Sequence, residues 1–202
     1  MKQELTKKQA QKLMSIKGEV RGVTFKTDIE YILREKGKEG LKKVEQELKR
    51  LGVNLKYNDI NTMTFYPVGL RALSLLVIKN TFNYSDDKIK EMGFFATKVS
   101  LIIKLFTRYF LSLQRVFFKE APRIWRKHWT IGELFPVELN EKEQYAILRL
   151  KNFNLHPIYC YYLGGYFCGV LQLIVRSDRI TFEETKCAFL GDEYHEYLIK
   201  WK

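Results

Sequence analysis

Cys187 and His195 stand eight positions apart in the run Glu184-Thr185-Lys186-Cys187-Ala188-Phe189-Leu190-Gly191-Asp192-Glu193-Tyr194-His195, on either side of a Gly-Asp turn signal. A turn centred near Gly191 folds this run into a hairpin and sets the thiol opposite the imidazole. Cross-strand neighbours on one face have Cβ atoms about 4.5 to 5.5 Å apart, close enough for a thiolate and an imidazole to share one Zn²⁺. Two donors make half of a zinc site. The others have to come from elsewhere in the chain.

The elements that must position this pair follow from periodicity and punctuation. Residues 1–15 are polar with helical spacing, a leader helix or a tail. Thr27-Asp28 reads as an N-cap for a helix carrying Ile29, Ile32 and Leu33 and stopped by Gly37, and 40–51 fits a second short helix stopped by Gly52. A loop over 54–64 leads to Pro67, a first-turn proline for an apolar helix over 68–79. Ser85-Asp86-Asp87 caps a helix over 87–93, followed by a long aromatic helix over 94–118 that continues or bends at Pro122. Beyond Gly132, partial alternation predicts strands over 134–139 and 145–153. Pro157 opens a helix to about Val175, and 179–190 with 193–201 form the closing hairpin. The expected fold class is α+β: N-terminal helices packed with a small antiparallel sheet, whose two strand pairs flank a helix. A single domain over 1–202 is expected, mainly helical over 16–130, with the strand pair, helix and hairpin over 131–202.

The stretch that carries the hairpin resembles a known family. Cys160-Tyr161-Tyr162-Leu163-Gly164-Gly165-Tyr166, Gly169, Glu184-Thr185-Lys186-Cys187, Gly191-Asp192 and Tyr197 are similar to the 4-vinyl reductase domain, which occurs in phenol-responsive transcription activators and in bacteriochlorophyll synthesis. The resemblance covers about the last quarter of the chain. In metal-binding members it implies a zinc held by a helix Cys, a Glu three residues before a strand Cys, and a last Cys eight residues after it. The corresponding residues here are Cys160, Glu184, Cys187 and His195, with His in place of the last Cys. Strand alternation sets Glu184 on the face opposite Cys187, so both reach one ion only across a bulge. The alternative is that Cys160 and Cys187 are ordinary buried thiols and His195 a hydrogen-bonded strand residue. Cys168 is expected in the core.

The element order is also similar to the superfamily shared by H-NOX sensors and TRAPP-type trafficking subunits. That likeness implies an H-NOX-like fold and, in the sensors, heme. None of His128, His156 and His195 falls in 94–118, and no Tyr-x-Ser-x-Arg propionate motif occurs. No heme is therefore expected; a structural Zn²⁺ is the cofactor the resemblance implies.

Composition narrows the function classes. The 202 residues are 46% hydrophobic and 29% charged, as in folded globular proteins. Three cysteines and a polar N-terminal run point to a reducing compartment, so cytoplasmic residence is expected. Lys98, Lys104, Arg108 and Arg115 interrupt the apolar stretch 92–118 too often for a membrane span. The net charge of +12 attracts anionic partners, although mixed lysine and glutamate along 2–56 reads as solvated helix faces. A tighter basic group, Lys119, Arg123, Arg126 and Lys127, sits beside Trp125 and Trp129. Nucleic acid is a possible partner that the distribution does not favour.

No phosphate loop, nucleophile elbow or two-His metal helix is present, and a four-ligand zinc leaves no open position for water, so no enzyme is expected. A tetrapyrrole vinyl reductase enters by family association alone. Phe94, Phe106, Tyr109, Phe110, Tyr162 and Tyr166 are the candidate walls of a pocket for a hydrophobic small molecule. Gly164, Gly165 and Gly169 mark either close helix packing or space for that ligand. The expected function is a non-catalytic, sensor-like domain that binds such a molecule and acts as a homodimer or through a regulatory protein. A scaffold without a ligand and a basic nucleic-acid binder are the rivals.

Overall fold

The computed structural model describes residues 5–99, 113–175 and 177–202. Helix α1 (Lys7–Met14) opens with a capping box in which Thr6 and Gln9 exchange side-chain to backbone hydrogen bonds. Strand β1 (Glu19–Arg21) pairs antiparallel with β2 (Phe65–Pro67), Val20 opposite Tyr66. At three residues each, these strands are too short to show alternation, and sequence reading left them out.

Helix α2 (Val23–Arg50) is two helices joined at Gly37, which adopts φ 63° and ψ −169°. Its start at Val23 corrects the expected N-cap at Asp28. Asp28 lies a turn inside the helix and is fully buried against Arg71 of α3 (Val68–Phe82). Pro67 stands at the N-cap of α3, one position before the first turn. Helix α3 is buried around most of its circumference, which explains a sequence apolar on every side.

Helix α4 (Asp86–Val99) runs without a break through Gly93, where two helices were expected. A Cβ at Gly93 would strike the backbone of Tyr162 in helix α6 (Ile158–Val175), and one at Gly165 would strike the backbone of Lys90. The two helices therefore meet backbone to backbone. At Gly169 a Cβ would meet Thr97, and at Gly164 the Phe182 ring. All three glycines of α6 serve close packing rather than space for a ligand. Of the expected aromatic helix, Phe106, Tyr109 and Phe110 lie outside the described residues. Its end is Leu113–Arg115, a π-helical turn at Val116–Glu120, and α5 (Ala121–His128), with Pro122 in the first turn.

Strands β3 (Glu133–Asn140), β4 (Tyr145–Lys151), β5 (Ile180–Lys186) and β6 (His195–Trp201) form an antiparallel sheet in the order β3-β4-β6-β5. Ala146, Leu148 and Leu150 of β4 and His195, Tyr197, Ile199 and Trp201 of β6 are buried on one face, where α6 lies. The fold is α+β. Trp125 and Trp129 stack at 5.4 Å, and Phe153 meets both edge-on, tying α5 to the sheet. Helix α6 is long and apolar enough to cross a membrane, yet 61% of it is buried inside the fold, as a core helix is.

Candidate metal centre

Each donor of the candidate site is placed by a different local device. Cys160 lies in the first turn of α6, which begins after Pro157 and receives the Ile158 N–H on His156 Nδ1 at 3.1 Å. Strand β5 carries a register shift between Glu184 and Lys186, opposite Tyr197 and Glu196. Thr185 is the extra residue of this bulge, and it resets the alternation that would have turned Glu184 away from Cys187. Cys187 follows the end of β5 in a turn closed by Gly191 at φ 105°. Its N–H donates to Asp192 Oδ2 at 2.8 Å, and its carbonyl accepts from Leu190 N–H at 2.9 Å. His195 opens β6 on the inner face and is 2% exposed.

The four side chains converge, with every donor atom within 4.8 Å of the others. Cys160 Sγ lies 3.7 Å from Cys187 Sγ and 4.0 Å from His195 Nδ1, which in turn lies 2.9 Å from Glu184 Oε1. Zn–S bonds of about 2.3 Å at tetrahedral angles imply an S···S edge of about 3.8 Å, so the two sulfurs are already at zinc spacing. The same geometry calls for a shorter N···S edge than the one observed and a longer N···O edge. Small side-chain rotations would equalise them.

Proton accounting favours a cation at the centre. The Phe153 carbonyl 3.2 Å from His195 Nε2 can only accept, so Nε2 carries a hydrogen and the imidazole is oriented from behind. Nδ1 then presents a lone pair to the Glu184 carboxylate, and a proton or a metal ion must lie between them. Burial, then the Glu184 carboxylate and Cys187, push the Cys160 thiol well above its ordinary range. A divalent ion reverses that balance, because a coordinating thiol is deprotonated. The residues present fit Zn²⁺: two sulfurs, one nitrogen and one oxygen, with a polar partner behind the histidine. Cys168 is buried in the core, its thiol pushed up to about 12 by desolvation.

A separate cavity of about 130 Å³ opens between α5, α6 and the sheet. Tyr162 and Tyr166 line it together with Val116, Phe117, Trp125 and Leu163. Phe94 instead packs at the edge of the core, with Lys98 Nζ 4.9 Å from its ring centre. Sequence reading missed Trp125, whose indole N–H donates to the Ile131 and Gly132 carbonyls at 3.1 and 3.0 Å while its ring faces the cavity walls. Arg71, also on the lining, pairs with Asp28 at 2.5 and 3.0 Å, both side chains wholly buried. Burial pushes the Asp28 carboxyl up to about 6, against the pull of the guanidinium. Tyr162 O–H donates to Asp28 at 3.3 Å.

No protein-family model and no curated protein matches this chain. Solved structures do. An H-NOX protein from S. oneidensis in the Fe(II)NO ligation state superposes with a TM-score of 0.66 at 14% identity, over 90% of this chain and 99% of that one. The Fe(II) unliganded H-NOX protein from K. algicida gives 0.61 at 13% identity, over 90% and 96%. A structure concerned with heme redox potential and protein-induced porphyrin distortion gives 0.58 at 14% identity, over 90% and 99%. The chain thus has the H-NOX fold, and at these identities the likeness is one of fold.

The described residues around the cavity do not fit a heme of ordinary size. The cavity is close in size to a 150 Å³ engineered cavity that holds benzene, whereas a porphyrin joins four rings of comparable size. Among the described lining residues the one imidazole is His128. The one guanidinium on the described lining, that of Arg71, is already occupied by Asp28.

Proposed function

We propose that this chain is a non-catalytic sensor-type domain that takes one small apolar molecule into the cavity beside α6, with a structural Zn²⁺ stapling α6 to the β5–β6 hairpin. The cavity is the observation that carries this reading. Its walls are almost wholly apolar, with Thr24, Thr27, Arg71 and His128 among the few polar groups on its lining. Such a surface gains from an apolar occupant of about one ring, and the few polar groups select its orientation. The fold, shared with proteins solved in Fe(II) and Fe(II)NO states, supports a role in ligand response. The C-terminal resemblance to the 4-vinyl reductase domain supports the zinc.

With Cys160, Glu184, Cys187 and His195 all engaged, a tetrahedral ion has no open position, so its contribution is to folding. The bound state would pass to a second copy of the chain or to a regulatory protein in the cytoplasm, where the three buried thiols stay reduced. Thermal unfolding with and without toluene or indole tests the ligand claim. A saturable rise in midpoint is expected, abolished by Leu163→Trp, which adds volume at the cavity wall. No rise with either probe, together with no apolar molecule carried by the purified protein in native mass spectrometry, would sink it. Elemental analysis is expected to give one zinc per chain, and its absence after growth in zinc would remove the staple.

A further inference from the structure

The segment 113–128 has two faces of opposite chemistry. Val116, Phe117, Ile124 and Trp125 line the cavity, while Phe118, Lys119, Arg123, Arg126 and Lys127 are exposed on the other side. Five basic residues occur between 113 and 130 against one carboxylate, Glu120, which is buried and paired with Arg123 at 2.6 Å. Among the described residues no acidic group pairs with Lys119, Arg126 or Lys127. Phe118, next to Lys119 in the chain, is 45% exposed and touches Phe117 edge-on.

We propose that this outer face docks on an anionic membrane surface, with Phe118 entering the interface and Lys119, Arg126 and Lys127 meeting the headgroup charge. An exposed aromatic ring on a segment with exposed, unpaired cations is the composition of an interfacial anchor. Each Lys or Arg near an anionic leaflet raises partitioning about fivefold, an effect that salt screens. Choosing a bilayer over nucleic acid also draws on the ligand reading above. A molecule suited to the apolar cavity has its reservoir in lipid, and the wall that touches the reservoir is the wall behind which it binds. The docking itself stands on charge and on Phe118.

Co-sedimentation of the full chain with phosphatidylcholine vesicles, with and without phosphatidylserine, tests the proposal, with duplex DNA as the competing anion. Binding to the anionic vesicles alone is expected, weakening with salt. The triple variant Lys119→Gln, Arg126→Gln, Lys127→Gln should lower it about a hundredfold with an unchanged unfolding midpoint, because these side chains are exposed, and Phe118→Ser about tenfold with a midpoint lowered only slightly, since its ring also touches Phe117. Equal binding to neutral vesicles, full binding by the triple variant, or binding to DNA but not to vesicles would overturn it. The toluene-induced rise in midpoint should survive in the triple variant, so docking and ligand binding can each fail without the other.

Discussion

Two buried polar clusters hang from α6, two residues apart in sequence, and they solve the problem of burial in opposite ways. On the Tyr162 side, Asp28 and Arg71 neutralise each other with no exposure at all. That cluster brings both signs of charge from the chain itself. On the Cys160 side the chain supplies two thiols, a carboxylate and an imidazole, and among the described residues no lysine or arginine is paired with them. A buried pair that balances its own charge joins two helices; a buried set of thiols, carboxylate and imidazole has the donors that suit a cation from outside.

The largest effect expected from breaking this contrast lies in the self-neutral cluster. Arg71→Leu leaves Asp28 buried alone and should cost about 3 to 5 kcal/mol, or roughly 10 °C in unfolding midpoint for a chain of this size. The sign of its pH dependence is fixed. A carboxyl raised from 3.8 to about 6 in the fold contributes stability that is full below its unfolded value and lost as pH rises through the folded one. Without the guanidinium that pulls it down, the variant's Asp28 carboxyl rises further, so the deficit should be greatest at neutral pH and above and shrink on acidification toward 6, below which both folded forms hold the proton. Unfolding curves above and below that pH that show an unchanged deficit would refute the buried-charge account.

Next in size is Cys187→Ala. With metal at about a hundred times its dissociation constant, occupancy contributes about 2.7 kcal/mol, which the variant should lose. After chelation, wild type and variant should differ by less than about 1 kcal/mol, measured as denaturant midpoints. A loss that is the same with and without metal would make the cysteine a packing residue. The smallest expected effect is that of Asp192→Ala, which removes the acceptor 2.8 Å from the Cys187 N–H and should cost about 1 kcal/mol while zinc stays bound. Loss of zinc in this variant would show that the turn holds the ligand in place more than the strands do.

The four-donor cluster was more legible in the sequence than the self-neutral one. Cys187, His195 and the Gly191-Asp192 turn form a local pattern, and strand alternation itself required the bulge that the structure has at Thr185. Asp28 was misread as a cap because Thr27-Asp28 ahead of an apolar run is a local signal, whereas its real partner is 43 residues away. Gly93 was misread as a break for a related reason. What matters there is the backbone of Tyr162, which no pattern within α4 can announce. The cavity is a property of volumes left over after packing. Of its candidate walls, Tyr162 and Tyr166 line it and Phe94 stands apart.

The glycine contact between α4 and α6 has a consequence for descent. At Gly93 and Gly165 any other residue would drive its Cβ into the backbone of the opposite helix, so these positions cannot drift singly. A lineage that loses one must separate the helices and rebuild the whole seam in step. Such a seam constrains both helices at once. Where 13 or 14% identity leaves only shape to compare, paired glycines at this crossing would trace the chain's nearer kin.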